Sequence, residues 1–290
     1  MIFDVLHTTD YRYDEPASEA YVEARLTPPT LSHQKILRHE LRFSPTSETS
    51  SYTDYFDNEV TFYSLARRHR HLKITNRLRV ETSPRKLPEL GMDLPIAEAR
   101  QVLTSKLTDI FDYTMQSERI SVSTESKKWA LRYLSDQTPL RTGLEALNTA
   151  IHKHFRYDPG STDNATPLAK VWKQRSGVCQ DFAQIFLSIL RTAGLPARYI
   201  CGYIEAVAPD SEKKAQLVGS VATHAWVEVL TPSQIWVALD PTNNCWCDEQ
   251  HVTIAYGRDY REAAPVRGTF KTSGAQHLRV AVKMKRRKAK

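Results

Sequence analysis

The chain has 290 residues, of which 41% are hydrophobic and 25% charged, the composition of a folded globular protein rather than a disordered one. No segment approaches the roughly 18 consecutive apolar residues that a membrane-spanning helix needs. The N-terminus also lacks the basic segment and apolar stretch of a signal peptide. We therefore expect a cytoplasmic protein without a membrane partner.

The formal net charge of +7 depends on basic residues near the C-terminus. Without six of them, 34 Lys and Arg residues would face 33 Asp and Glu residues. The six are Lys283, Lys285, Arg286, Arg287, Lys288 and Lys290. Terminal charge runs are usually solvated. We therefore expect a mobile basic tail that is dispensable for catalysis, and no specific nucleic-acid partner.

The first part of the chain has the pattern of β-strands. Apolar residues alternate with polar ones over residues 20–26 and again over 72–80, which indicates strands with one buried face. Proline and Asp-Asn turn residues separate these segments. The sequence predicts an antiparallel β-sandwich domain over residues 1–88, and the proline-rich segment from Pro84 to Pro95 marks its boundary.

After this boundary the apolar spacing changes to that of helices, as at Leu144, Leu147, Ile151 and Phe155. The predicted fold class is therefore α+β. The predicted divisions after the sandwich are a helical connection at 89–122, a catalytic core at 123–270, and a C-terminal strand with basic tail at 271–290.

One cysteine is predicted to begin a helix. A loop at Gly177 leads into a helically spaced run from Phe182 that ends at Gly194. Cys179 therefore lies at the helix N-terminus, where unpaired N–H groups and the helix dipole favour an anion. The same groups could stabilise an oxyanion formed on an attacked carbonyl group. This position suits a thiolate nucleophile.

A predicted hairpin supplies a histidine and a carboxylate. Strands over residues 222–230 and 235–239 are joined by a turn that we centre on Pro232. This register places His224 directly opposite Asp240, at a distance of roughly 5 Å between Cβ atoms. The carboxylate could then hold one imidazole nitrogen and leave the other for the thiol.

Each of these residues also has a structural interpretation. A cysteine on a helix is often a small buried hydrophobe, a strand histidine can be structural, and an Asp before proline commonly forms a turn. The four cysteines, Cys179, Cys201, Cys245 and Cys247, are too few and too irregular for a disulfide framework. Cys245, Cys247 and His251 could bind a metal, but their spacing is unusual for zinc and lacks a fourth ligand, so we predict no metal site.

Four blocks together resemble the bacterial transglutaminase-like proteins. They are Gly177–Phe182, Gly194–Tyr199, His224–Val229 and Asp240–Asn243. The resemblance extends over nearly the whole chain, including the N-terminal β region. It implies a papain-like α+β core behind an N-terminal β-sandwich, with Cys179, His224 and Asp240 as a catalytic triad.

The resemblance also implies a reaction at carboxamide or peptide bonds of a peptide or protein substrate, through a thioester and without a cofactor. Animal members place an oxyanion-binding indole well upstream of the cysteine, whereas here Trp172 is only seven positions away. Trp172, Tyr157 and Gln180 are the candidate oxyanion or substrate residues, with the core as the alternative location for Trp172.

The resemblance leaves three functions open. Hydrolysis by a cysteine protease or amidase is favoured because water is always available, whereas cross-linking needs a second site for an amine. A protein-glutamine acyltransferase is the first alternative. A non-catalytic peptide-binding module of the same fold is the second, and the presence of all three triad residues argues against it.

Overall fold

The computed structural model describes residues 1–105, 107–205 and 222–287. Eight strands form a β-sandwich: β1 (Ile2–Ala17), β2 (Glu19–Ala24), β3 (Gln34–Ser44), β4 (Glu48–Thr53), β5 (Glu59–Leu65), β6 (His69–Thr82), β14 (Val266–Lys271) and β15 (Gln276–Arg286). One four-stranded sheet has the order β15-β1-β6-β3 and the other β14-β2-β5-β4, and their neighbouring strands are antiparallel.

Alternation of side chains explains the sandwich. Residues of β1 are alternately buried and partly exposed, so Phe3, Val5 and Tyr11 point into the molecule. Strand β6 repeats the pattern, with Leu72 and Ile74 buried. Period-two burial is what an antiparallel sheet with one covered face requires. The predicted N-terminal antiparallel β domain is therefore observed.

The sandwich is completed by the C-terminal end of the chain, which differs from the prediction. Residues 266–271 pair with β2, although the sequence assigned the chain up to residue 270 to the core. Strand β15 pairs along β1 from Tyr13 to Phe3. The expected mobile tail is thus wrong for residues 283–286, because they pair with β1 and Met284 is buried where this sheet packs against β9 and β13 of the core. Lys288 and Lys290 lie outside the described residues.

The second part of the fold combines helices with a five-stranded sheet, and the α+β prediction is confirmed. The helices are α1 (Ile96–Thr104), α2 (Leu107–Ile110), α3 (Thr124–Tyr133), α4 (Leu140–His154), α5 (Leu168–Gln174), α6 (Cys179–Thr192) and α7 (Tyr260–Ala263). The strands are β7 (Arg156–Tyr157), β8 (Ser176–Gly177), β9 (Ala197–Ile204), β10 (His224–Leu230), β11 (Trp236–Asp240), β12 (Cys245–Trp246) and β13 (His251–Gly257).

Helix α6 is the centre of this core. Its residues from Cys179 to Arg191 are all buried, because α3, α4 and α5 cover it on one side and β9 and β10 on the other. The sheet order is β12-β11-β10-β9-β13, while β7 and β8 form a separate parallel pair. A helix that is enclosed on all sides fixes the position of its first residue firmly. Among the described residues, no helix has the length and apolarity to cross a membrane.

Two amide side chains of the sandwich bind the edge strand β13. Gln34 accepts a hydrogen bond from the N–H of Thr253 (2.8 Å) and donates to its carbonyl group (2.9 Å). Asn58 makes the same pair of bonds with Tyr256 (2.9 and 2.7 Å). These contacts satisfy backbone groups that an edge strand would otherwise expose. The two parts of the molecule are therefore joined by specific backbone recognition.

We expect truncation after Val282 to destabilise the protein. The shortened chain loses the buried Met284, four residue pairs between β15 and β1, and the ion pair of Arg286 with Glu205. Removing a buried methionine side chain alone costs about 2–5 kcal/mol. Urea unfolding should show that the free energy of unfolding falls by at least about 2 kcal/mol. A chain shortened after Arg287 keeps the whole strand and is the control. Equal stability of the two shortened chains would contradict the assignment of residues 283–286 to β15.

Candidate active site

Cys179 is the first residue of α6, as the sequence predicts. The Asp181 side chain folds back and accepts hydrogen bonds from the N–H of Val178 (2.8 Å) and the hydroxyl of Thr162 (2.6 Å). A Cβ atom at Gly177 would lie 2.6 Å from the Asp181 carboxylate, so only glycine fits there. The loop before the helix is therefore fixed, and Cys179 stands where the first N–H groups lack intrahelical acceptors.

His224 and Asp240 meet, but not in the predicted register. Val227 pairs with Leu239, so Asp240 lies level with Trp226, two residues from the predicted position. A shift of two residues keeps both side chains on the same face of the sheet. His224 Nε2 lies 2.7 Å from Asp240 Oδ2.

The register differs because the turn is one residue longer than expected on one side. Thr231 and Ile235 close the loop with a backbone hydrogen bond of 3.0 Å, and Gln234 adopts a positive φ of 62°. Glycine or asparagine would have signalled this left-handed residue in the sequence. Glutamine gives no such signal, so the turn centre moves from residue 232 to 233.

Asp240 is fully buried and its carboxylate accepts several hydrogen bonds. Oδ1 accepts from the backbone N–H groups of Thr242 (2.9 Å) and Asn243 (3.1 Å). Oδ2 accepts from the Asn243 side chain (2.6 Å) and faces His224 and His251 (3.3 Å). Burial of a carboxylate is costly unless it is paired and hydrogen-bonded, and here both oxygens are satisfied.

The electrostatic environment favours a charged imidazole at His224. Burial opposes the charge, but the Asp240 carboxylate and Cys179 outweigh it and raise the pKa of His224 to about 10. Burial also acts against ionisation of Asp240, yet the neighbouring His224 holds the pKa of that carboxyl group well below its usual range. The ring therefore retains a proton at neutral pH, and Cys179 is within interaction range of it.

His251 supports Asp240 from the other side. Its Nδ1 accepts a hydrogen bond from the N–H of Asp248 (3.3 Å), so Nε2 carries the ring proton and donates to Asp240. Burial lowers the pKa of His251, which keeps the ring neutral. The ring also packs edge-on against Trp226, with centroids 5.3 Å apart. His251 thus holds the carboxylate without adding charge.

Asp240, Cys245 and His251 place three potential metal-ligand atoms within 4.8 Å of one another. Cys247, which the sequence grouped with Cys245 and His251, is not among them. The protonated Nε2 of His251 cannot bind a metal in this arrangement. Burial, with Asp240 nearby, raises the pKa of Cys245 to about 12 and keeps its thiol protonated. Asp240 and His251 are therefore joined by a hydrogen bond, and the absence of a metal site stays a prediction.

A cavity of about 370 Å³ lies in front of Cys179 and His224. Tyr157 and Gln180 line it, as two of the three candidate oxyanion or substrate residues. Burial, followed by Cys179 and Asp240, raises the pKa of Tyr157 to about 12, so its hydroxyl group remains a hydrogen-bond donor. Trp172 does not line this cavity. It packs in the core against Trp129 and Phe155, which is the structural location that the sequence left open for it.

The opposite wall of the cavity comes from the sandwich, which the sequence did not predict to contribute. Tyr11 of β1 and Leu278 and Val280 of β15 line it, together with Tyr199 and Tyr260 of the core. Leu278 is 51% exposed, which leaves an apolar surface open in the cavity that Cys179 also lines. Sequence patterns identify which residues of a strand are buried, but not which cavity two distant strands will share.

Two family models match the chain. Residues 3–81 match the bacterial transglutaminase-like N-terminal region, and residues 127–241 match the transglutaminase-like superfamily. An uncharacterized protein of Mycobacterium tuberculosis is 31% identical over 278 residues, which cover 93% of this chain and 88% of that protein.

One solved structure supports the fold. The structure of a candidate cysteine protease from Cytophaga hutchinsonii is 20% identical, with a TM-score of 0.76, and the match covers 98% of this chain and 90% of that one. The protein-glutamine gamma-glutamyltransferase of Pseudomonas aeruginosa is 31% identical over 105 residues, 34% of this chain and 16% of that enzyme. The predicted transglutaminase-like fold is thereby confirmed.

The raised pKa of His224 predicts a pH-dependent stability. A group with a raised folded-state pKa contributes stability that is complete below its unfolded value of 6.5 and is lost as the pH rises through about 10. We expect the free energy of unfolding to fall across this window, and to fall less steeply in Asp240→Asn. Urea unfolding at a series of pH values measures both slopes. Parallel slopes in the two proteins would contradict the charged His224.

Proposed function

Since the chain belongs to the transglutaminase-like superfamily, we propose that it is a thiol enzyme that attacks carboxamide or peptide bonds of peptides or proteins. Cys179 is the nucleophile, His224 its base, and Asp240 the residue that orients the imidazole. The observation that carries this proposal is the 2.7 Å contact between His224 Nε2 and Asp240 Oδ2 beside a helix-start cysteine. Nδ1 of His224 is the nitrogen left for the thiol.

In the first half of the reaction, His224 already holds the proton as an imidazolium, as its raised pKa indicates, and the Cys179 sulfur attacks the carbonyl carbon of the substrate. The tetrahedral intermediate collapses when the imidazolium returns the proton to the leaving ammonia or amine. A thioester on Cys179 remains. Asp240 stabilises the imidazolium during this step and holds the ring in the orientation that both proton transfers need.

The oxyanion would form at the N-terminus of α6. The backbone N–H of Cys179 lacks an intrahelical acceptor, and Tyr157 and Gln180 border the same cavity. Preorganised donors of this kind stabilise the charge that develops in the transition state. Tyr157 suits the role because its hydroxyl group stays protonated. Trp172 has no part in it.

In the second half, water attacks the thioester with His224 as base, and the acid product leaves. We propose hydrolysis as the main reaction, because it needs no further binding site. The similarity to a gamma-glutamyltransferase over 105 residues supports an alternative in which a primary amine replaces water. The alternative uses the same thioester, so the two reactions differ only in the acceptor.

Replacing the nucleophile tests the enzyme assignment. We expect Cys179→Ala to abolish hydrolysis and amine incorporation in a peptide library that contains glutamine and asparagine. Cys247→Ala is the matched control, since Cys247 is buried beside Trp226 and Tyr256, away from the cavity. Mass spectrometry distinguishes free acid from incorporation of a labelled amine. Full activity in Cys179→Ala would reject the proposal, and loss in both variants with intact folding would reject the assignment of the nucleophile.

The roles of the base and its partner predict an order of effects. His224→Ala should lower turnover by about 10²–10⁴-fold. Asp240→Asn should lower it less, because the imidazole remains and the amide oxygen can still accept the backbone N–H groups. The double variant should be scarcely worse than His224→Ala, since residues that act as a unit are not additive. Multiplicative losses would show that the two residues act independently.

A further inference from the structure

The outer surface of the sheet β15-β1-β6-β3 concentrates positive charge. Three segments far apart in the chain contribute its basic side chains: Arg38 and Arg42 from β3, Arg77 and Arg79 from β6, and Lys283 and Lys285 from β15. These six residues and the β1 residues between them border a groove of about 530 Å³, which we call the basic groove. Two carboxylates, Asp4 and Glu40, lie among its lining residues.

Strand register explains the groove. Leu6 of β1 stands between Lys283 and Arg77, and Asp4 stands between Lys285 and Arg79. The short β1 side chains form the floor, and the long basic side chains of the neighbouring strands form the walls. Adjacent strands lie about 4.8 Å apart, so the walls are separated by about 10 Å.

The acidic residues of the groove are already paired. Asp4 contacts Arg79 (2.7 Å) and Arg287 (3.8 Å), and Glu40 contacts Arg38 and Arg42. Within the described ranges, Arg77, Lys283 and Lys285 have no carboxylate within 4.0 Å. All three are exposed. Like charges held close together repel each other, so an anion in the groove would relieve this repulsion.

The shape of the groove selects the kind of anion. Walls about 10 Å apart admit a single extended chain, whereas a nucleic-acid duplex is wider, its major groove alone being about 12 Å across. Binding of single-stranded nucleic acid relies on aromatic side chains that stack on bases, and none lines the basic groove. Side chains that share a face of an extended peptide recur at about 6.7 Å, the spacing of Lys283 and Lys285 on their strand.

We propose that the basic groove binds an extended acidic peptide segment of another protein, with Asp or Glu at alternate positions. Lys283 and Lys285 face one side of the segment and Arg77 the other. Arginine forms bidentate pairs with carboxylates, and lysine adds point charges. The groove lies on the opposite face of the sheet from the side chains that line the catalytic cavity, so this binding does not depend on the proposed function.

A labelled peptide of alternating glutamate and serine tests the proposal by fluorescence anisotropy on the full chain. We expect saturable binding that weakens with salt, and no binding of the same peptide with glutamine in place of glutamate. A triple variant, Arg77→Gln with Lys283→Gln and Lys285→Gln, should weaken binding about tenfold or more. The matched control removes three exposed lysines of the core helices α3 and α4, Lys127→Gln, Lys128→Gln and Lys153→Gln, and should bind within twofold of the unchanged chain.

Three outcomes would overturn the proposal. The first is absence of binding at low salt. The second is an equal loss of peptide binding in the groove variant and the control variant, which would show that binding depends only on the net charge of the protein. The third is tighter binding of oligothymidylate of equal charge, or of anionic lipid vesicles, than of the peptide. If the triple variant unfolds, the pair Lys283→Gln and Lys285→Gln repeats the test, because both side chains are exposed on an edge strand.

Discussion

The buried carboxylate of Asp240 is the constraint on which the α+β core of the structure depends. An ionised carboxylate in a protein interior is tolerated only when its oxygens are hydrogen-bonded and its charge is paired. Here the donors come from three places: the turn after β11, His224 of β10 and His251 of β13. Three strands of one sheet, β10, β11 and β13, must therefore be in position before the charge is satisfied. The same arrangement that makes burial tolerable orients the imidazole toward Cys179.

The cavity in front of this cluster exists because two parts of the chain close around it. Helix α6 supplies the thiol, and strands β1 and β15 supply the facing wall. Strand β15 therefore has a different role on each face: Leu278 and Val280 face the cavity, while Lys283 and Lys285 face the basic groove. The sandwich accordingly forms one wall of this cavity, and a substrate of the proposed reaction would enter between the sandwich and the core.

Much of the fold could be predicted from local patterns. Period-two alternation predicted the sandwich, and the glycine before a helical run placed Cys179 at a helix start, where the structure has it. The hairpin register was wrong by two residues because Gln234 adopts a left-handed conformation that its type does not signal. The predicted contact between His224 and Asp240 is nevertheless observed, because a shift of two residues keeps both side chains on the same face of the sheet.

Other features depend on long-range pairing and could not be predicted. The basic C-terminal segment looked like a solvated tail, but its alternating Val282 and Met284 are buried once β15 pairs with β1. His251 was considered only as a metal ligand, since nothing in its local sequence shows that it will meet Asp240. Trp172 was close to the cysteine in sequence, yet the turn of α5 directs it into the aromatic core.

The most direct measurement of the central claim compares the reactivity of the four cysteines. In the native protein, accessibility alone favours Cys245, which is half-buried, over Cys179, which is 8% exposed. Activation by His224 and the helix N-terminus favours Cys179, while burial and Asp240 raise the pKa of Cys245 to about 12. Peptide mapping after brief treatment with iodoacetamide at neutral pH should find the label on Cys179 first, and more slowly in His224→Ala. Faster labelling of Cys245, or a rate at Cys179 that His224→Ala leaves unchanged, would contradict the account.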